Sequence, residues 1–203
     1  MSQLLVALLA AALALPSLAF AETVRNPVAP EAETQITSRY LLMDANGRAV
    51  SNQDFRGRFQ LLTFGYTYCP DVCPTTLAEM AMVMSQLGED ADELQPLFIS
   101  VDPERDTAAT LREYAAFFDP RIISLSGSPA LVRKAADSFK VRYEKVREPG
   151  APPDQYAVDH SAGMYLLGPD GHFIRKFAYA APAAEIADQI RQLIAGSSHR
   201  PAR

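Results

Sequence analysis

Residues 59–77 read FQLLTFGYTYCPDVCPTTL, and this stretch carries more information about the fold than any other. Its first seven residues form a nearly continuous apolar run that ends at Gly65, which is typical of a buried central strand. Apolar residues then recur at the spacing of one helix face, at Leu77, Met80, Ala81, Met84 and Leu87. The stretch therefore predicts a buried strand, a turn with two cysteines, and an amphipathic helix in direct succession.

The start of this helix has two interpretations. Pro74 suits the first helical position with Cys73 as the N-cap residue. Alternatively, Thr76 and Glu79 form a capping box. Both interpretations place Cys73 within one turn of the helix N-terminus, where the partial positive charge favours a thiolate over a thiol.

Strand and helix patterns alternate along the rest of the chain. Strands are predicted at 40–43, 49–50, 96–101, 122–125 and 141–146, and a closing hairpin begins at Val158 and runs to residue 177. Further helices are predicted after Thr107 (or Asp106), after Ser128 and from Pro182. This alternation predicts an α/β fold with a mixed central sheet flanked by helices. The Asn46-Gly47 turn adds an N-terminal β-hairpin.

Composition limits the class of protein. The chain has 203 residues, of which 48% are hydrophobic and 21% charged, as in an ordinary globular protein. Its net charge of −5 argues against a nucleic-acid-binding surface. Two cysteines are too few for a scaffold held together by disulfides.

The N-terminal residues have the pattern of an export signal. An apolar run over 4–15 is followed by Ala19-Phe20-Ala21, the small-x-small form of a cleavage site. We predict a signal peptide at 1–21, a flexible leader at 22–35, one domain at 36–196 and a tail at 197–203. The mature protein would then be soluble in the periplasm, and the alternative is an uncleaved segment that anchors it to the inner membrane.

Cys69 and Cys73 are the first candidate site residues. They lie where a buried strand ends and a helix begins, a place where α/β proteins gather their functional groups. A helical turn would put both sulfurs on one face. The pair can act as two soft metal ligands, as a nucleophile with a resolving partner, or as a structural disulfide. Thiolates select copper(I), zinc or iron–sulfur clusters.

His160 lies in the Val158-Asp159-His160-Ser161 step that leads into the closing hairpin. From the sequence alone, it is either a hydrogen-bonded histidine near the surface or a third metal ligand. Imidazole is compatible with copper and zinc, which two thiolates also bind. The spacing along the chain does not place His160 near the cysteines.

Three stretches together resemble the Sco/SenC family: FGYTYCPDVCP at 64–74, SVDPERDT at 100–107, and VDHS at 158–161. The resemblance extends over residues 36 to 195. It implies a thioredoxin-like fold with an added N-terminal hairpin. It also implies that Cys69, Cys73 and His160 meet at one site that binds one copper per chain, as copper(I) or copper(II). Asp71 and Asp159 would then tune the charge of the site or orient the imidazole.

The same resemblance implies a copper chaperone that helps to assemble the dinuclear copper centre of cytochrome c oxidase subunit II. The partners would be subunit II or another copper acceptor, together with a periplasmic thiol reductant or a copper donor. The alternatives are a thiol–disulfide oxidoreductase that keeps the cysteines of subunit II reduced, and a redox or copper sensor. Whether the protein is an enzyme depends on which of these holds.

Overall fold

A computed structural model describes residues 35–197. The predicted signal peptide, residues 22–34 of the predicted leader and residues 198–203 of the predicted tail lie outside the described residues. Within 35–197, no helix is both long enough and apolar enough to cross a membrane.

The described residues form nine strands and four α-helices. The strands are β1 (Leu41–Asp44), β2 (Ala49–Ser51), β3 (Phe59–Gly65), β4 (Leu94–Ser100), β5 (Ile123–Ser126), β6 (Tyr143–Val146), β7 (Ala157–His160), β8 (Met164–Leu167) and β9 (Phe173–Phe177). The helices are α1 (Val72–Leu87), α2 (Ala108–Phe118), α3 (Pro129–Ser138) and α4 (Ala183–Ser197), and a 3-10 segment covers Gly88–Glu93. The side chains of Thr107 and Ser128 cap α2 and α3, as predicted.

The main sheet has seven strands in the order β2-β1-β5-β4-β3-β8-β9. Strand β3 pairs in parallel with β4 and antiparallel with β8, and β4 pairs in parallel with β5. The N-terminal hairpin β1–β2 joins through an antiparallel contact with β5. The sheet is therefore mixed, as predicted, and β3 is an interior strand.

Two hydrophobic layers cover the sheet, because successive side chains of a strand point to opposite faces. Phe59 and Leu61 of β3 pack in the layer that includes α1, α2 and α4. Leu62 and Phe64 pack in the layer that includes α3 and the N-terminal hairpin. Every residue of β3 is buried. The strand that leads to the cysteines is thus held on both faces.

The prediction that Val158 begins the closing hairpin is wrong. Residues Ala157–His160 pair antiparallel with Tyr143–Val146 in a separate two-stranded sheet, and only β8 and β9 form the hairpin. The apolar pattern of these short strands indicates strand conformation but does not identify the partner strand.

Both predicted starts of the first helix are wrong as well. Helix α1 begins at Val72, with Asp71 in the N-cap position and no side-chain capping bond. Pro74 is therefore the third helical residue. It is tolerated there because amides of the first turn have no intrahelical acceptor. The hydroxyl of Thr76 donates to the Val72 carbonyl at 2.8 Å instead of capping the helix.

Candidate metal centre

Three metal-ligating side chains converge at the end of β3. The sulfur atoms of Cys69 and Cys73 and a ring nitrogen of His160 all lie within 4.8 Å of one another. Cys73 Sγ and His160 Nε2 are 3.3 Å apart, although the two residues are 87 positions apart in the chain. The structure therefore brings together all three predicted site residues.

Three different elements supply these side chains. Cys69 lies in the turn after β3, Cys73 is the second residue of α1, and His160 is the last residue of β7. The backbone amide of Cys73 donates to Cys69 Sγ at 3.4 Å, so a free amide of the helix N-terminus stabilises that sulfur. His160 reaches the cluster because β7 pairs with β6, where Tyr143 is its register partner.

The two free cysteines differ in burial. Cys69 is half-buried, whereas Cys73 is only 3% exposed. Burial raises the pKa of the Cys73 thiol. Burial of Cys73 thus opposes the thiolate form that the helix N-terminus was expected to favour. Cys69 is the sulfur that solvent or an incoming group reaches first.

The environment of His160 favours a neutral ring that can donate a lone pair. Burial lowers its pKa, and this effect outweighs the opposing effects of the Ser161 carbonyl and the Asp159 charge. Nδ1 lies 3.2 Å from the Ser161 carbonyl oxygen, and a proton held there leaves Nε2 free towards Cys73 Sγ. The imidazole ring also packs nearly perpendicular to the Tyr66 ring, with centroids 6.1 Å apart.

Asp71 and Asp159, the two carboxylates predicted to support the site, interact with His160 less directly than the Ser161 carbonyl does. Asp159 is exposed and acts on His160 through its charge, while the imidazole hydrogen-bonds to Ser161. Asp71 is exposed at the start of α1 and makes no side-chain capping bond.

Arg105 joins the two halves of the site, and the sequence did not single it out. Its Nε donates to Asp102 Oδ2 at 2.6 Å and its Nη1 to the Tyr156 carbonyl at 2.9 Å. The guanidinium carbon lies 3.6 Å from the ring centroid of Tyr156 and 4.8 Å from that of Tyr68. Tyr68 precedes Cys69, and Tyr156 precedes β7. One guanidinium therefore ties the cysteine turn to the strand that carries His160.

Asp106 holds the backbone of the cysteine turn through hydrogen bonds. Its carboxylate accepts hydrogen bonds from the Thr67 hydroxyl at 2.6 Å, the Thr67 amide at 3.2 Å and the Ser100 hydroxyl at 2.6 Å. Asp106 and Arg105 belong to the stretch 100–107, one of the three on which the family resemblance rests. Which side chains in it make the contacts depends on the tertiary packing.

The contribution of Asp106 to the free energy of unfolding should fall as pH rises. Burial raises the pKa of Asp106 in the folded protein, despite the bonds from Ser100 and Thr67. A carboxyl with a raised folded pKa stabilises the protein below its unfolded pKa of about 4, and this contribution is lost as pH rises through the folded pKa.

The measurement is urea unfolding of the wild type and Asp106→Asn at several values between pH 4 and pH 8. The free energy of unfolding of the wild type, relative to that of Asp106→Asn, should fall as pH rises, since Asn does not titrate. A difference independent of pH would contradict this prediction.

A model of the SCO1/SenC family matches residues 28–195, which is most of the chain. The chain belongs to the SCO1/SenC family. A bovine relative, "Protein SCO2 homolog, mitochondrial" from Bos taurus, is 40% identical over 161 residues, or 77% of this chain. The match covers 59% of that relative, so this chain spans about three fifths of the relative's length.

Solved Sco structures resemble this chain over most of its length. Copper-bound ScoI of Bradyrhizobium japonicum is 41% identical, with a TM-score of 0.70 over 77% of this chain and 98% of that one. BsSco, a member of the Sco family of cytochrome c oxidase assembly proteins in which a disulfide switch was identified, is 27% identical, with a TM-score of 0.58 over 76% of this chain and 90% of that one. The thioredoxin-like fold implied by the resemblance is confirmed.

Proposed function

We propose that this chain binds one copper ion through Cys69, Cys73 and His160 and delivers it to a copper acceptor during cytochrome c oxidase assembly. The observation that carries the proposal is the convergence of two sulfur atoms and a ring nitrogen within 4.8 Å. Two thiolates and one imidazole form a donor set that suits copper(I), and the imidazole also suits copper(II). Copper-bound ScoI supports the choice of copper over zinc.

The difference in burial between the cysteines supports transfer rather than permanent storage. Cys73 and His160 would hold the ion from the inner side, and the half-buried Cys69 would be its accessible ligand. A cysteine of the acceptor could replace Cys69 by ligand exchange while the inner ligands still hold the copper. We propose the dinuclear copper centre of cytochrome c oxidase subunit II as the acceptor, and the assembly role of the Sco family supports this.

His160→Ala should separate the two copper oxidation states. We expect it to lower copper(II) affinity by more than about 100-fold, beyond the upper end of the loss expected for a supporting residue. Copper(I) affinity should fall less, because two thiolates suffice for the softer ion. The measurement is an anaerobic copper(I) titration against a competing chelator, followed by copper(II) and its thiolate charge-transfer band.

Cys69→Ser should lower the affinity for both copper(I) and copper(II), and it should abolish or shift the charge-transfer band. His172→Ala is the matched control, because His172 is exposed in the turn between β8 and β9 and should bind copper as the wild type does. Equal affinities of His160→Ala and wild type for both ions would overturn the assignment of His160.

Thiol–disulfide exchange is a second candidate function, and the burial of the cysteines also favours it. Cys69 would attack a disulfide of subunit II, and Cys73 beneath it would resolve the mixed disulfide. Subunit II would leave with two thiols, and this chain would keep a Cys69–Cys73 disulfide until a periplasmic thiol reductant reduced it. The disulfide switch of BsSco supports this chemistry. A redox or copper sensor would use the same pair without an acceptor.

Cys73→Ser should trap a mixed disulfide between Cys69 and a subunit II fragment if exchange is the function. The adduct would be seen by non-reducing electrophoresis and mass spectrometry. Wild-type protein and Cys69→Ser should form no lasting adduct. Copper transfer without any trapped adduct would exclude this function in favour of the chaperone.

We propose that the protein acts in the periplasm, either released after cleavage behind Ala21 or anchored by residues 1–21. The apolar run and the Ala19-Phe20-Ala21 step support export. N-terminal sequencing of the protein from periplasmic and membrane fractions distinguishes the two forms. Recovery only from the cytoplasm would contradict the proposal.

A further inference from the structure

A cavity of about 660 Å³ lies at the end of the sheet opposite the metal centre. The cysteines follow the carboxyl end of β3, whereas Gln60 near its amino end pairs with Leu167, which leads into the turn between β8 and β9. That turn lines the cavity together with α3, the approach to β1 and the connection from β2 to β3. The cavity is therefore separate from the proposed copper site.

The rim of the cavity carries positive charge without carboxylate partners. Arg39, Arg56 and Lys134 line it, and within residues 35–197 none of the three has a carboxylate within 4.0 Å. Among the lining residues, Asp170 is the one carboxylate, and it accepts a hydrogen bond from the His172 amide at 3.0 Å. Three cations and one carboxylate leave two positive charges here, in a chain with a net charge of −5.

The floor of the cavity is formed by the buried residues Tyr40, Asn52 and Gly171, which are already hydrogen-bonded to one another or to Gln60 and Ser38 behind them. The Tyr40 hydroxyl donates to Gln60 Oε1 at 2.8 Å, and Gln60 Nε2 donates to the Asn52 carbonyl at 3.0 Å. Asn52 Nδ2 and the Ser38 hydroxyl both donate to the Gly171 carbonyl, at 3.3 and 3.0 Å. Because the floor is preformed, a ligand would order only the side chains of the rim.

We propose that this cavity, which we term the basic cavity, binds a phosphate ester. A phosphate monoester carries about −1.5 to −2 charges near pH 7, which matches the net charge of the residues that line the cavity. Guanidinium groups such as those of Arg39 and Arg56 bind phosphate oxygens in a bidentate manner. The volume lies in the range of small-molecule sites, and Leu131 and Ala135 provide an apolar wall for the esterified group.

The test has a soluble arm and a membrane arm, because a phosphate ester can be a free small molecule or a lipid headgroup. The soluble probe is phenyl phosphate, measured by calorimetry and by amide chemical shifts of Asn52 and Gly171, with phenol as the uncharged counterpart. The membrane probe is phosphatidylcholine vesicles with and without phosphatidic acid, measured by co-sedimentation. Binding of phenyl phosphate identifies a free phosphate ester as the ligand. Binding of the vesicles that contain phosphatidic acid, without binding of phenyl phosphate, identifies a lipid headgroup.

Arg56→Gln combined with Lys134→Gln should weaken the binding that is observed by at least about tenfold, since two charged hydrogen bonds are lost. The matched control, Arg112→Gln with Arg147→Gln, removes two exposed charges that do not line the cavity and should bind as the wild type does. Copper affinity should be unchanged in both. The proposal is overturned if neither probe binds, or if the control weakens binding as much as the cavity variant.

Discussion

Replacement of Arg105 by methionine is expected to lower the free energy of unfolding by about 3 kcal/mol. Its Nε lies 2.6 Å from Asp102 Oδ2, and Asp102 is fully buried. Removal of one partner of a buried ion pair leaves an uncompensated charge, which costs about 3–5 kcal/mol. The lower end applies because the Arg105 side chain is 16% exposed, so water can reach the vacated space. Urea unfolding monitored by circular dichroism measures the loss.

The same substitution should weaken copper binding through positioning, since Arg105 touches neither cysteine's sulfur nor the imidazole. It releases Tyr68 on the cysteine side and Tyr156 on the histidine side. Loss of a residue that orients metal ligands typically lowers affinity by about 10- to 100-fold. Chelator competition at a temperature well below the unfolding midpoint measures this effect separately from stability.

Three comparisons make the Arg105 prediction specific. Arg105→Lys keeps the charge but loses the planar guanidinium and its stacking. Its free energy of unfolding and its copper affinity should therefore lie between those of Arg105→Met and the wild type. Asp102→Asn with Arg105→Met removes the unpaired charge and should recover part of the lost stability. Arg112→Met, on the exposed face of α2, should change neither quantity. Wild-type copper affinity in Arg105→Met would show that the residue does not position the ligands.

The elements that the sequence predicts correctly are those whose signals are local. The apolar run of β3, the hairpin turn at Asn46-Gly47 and the caps at Thr107 and Ser128 each act within a few residues. The start of α1 is different. Pro74 is compatible with any position of the first turn, so its presence does not fix which residue begins the helix.

The residues of the candidate site likewise include some that local sequence places and others that only the tertiary structure places. Cys69 and Cys73 are close because a turn and a helix join them, and their spacing predicts this. His160 reaches them through the pairing of β7 with β6, and nothing in four residues of strand pattern identifies that partner. Tyr156 precedes β7, and it stacks on Arg105 because a second segment, 51 residues away in the chain, meets it.

Gly65→Ala is expected to destabilise the protein by about 1–3 kcal/mol and to lower copper(I) affinity by more than about tenfold, because the added carbon would overpack the site. A Cβ at this position would lie 2.8 Å from Cys73 Sγ and 2.8 Å from the Phe98 ring, closer than such contacts are found. Phe98 is fully buried in the core between β4 and the helices, so it has little room to move. The strain therefore falls on the sulfur, which is a proposed copper ligand.

Gly196→Ala provides the matched control for this substitution. Gly196 lies in α4 with nothing within 4 Å of its added Cβ, so alanine should stabilise the helix by up to about 1 kcal/mol and leave copper binding unchanged. Chelator competition and urea unfolding on both variants separate the two effects. If Gly65→Ala loses stability but binds copper(I) like the wild type, the position of Cys73 Sγ does not limit binding, and its role as the inner copper ligand is contradicted. If both quantities fall together, the absence of a side chain at residue 65 is what allows a buried thiol to face the imidazole at the end of β3.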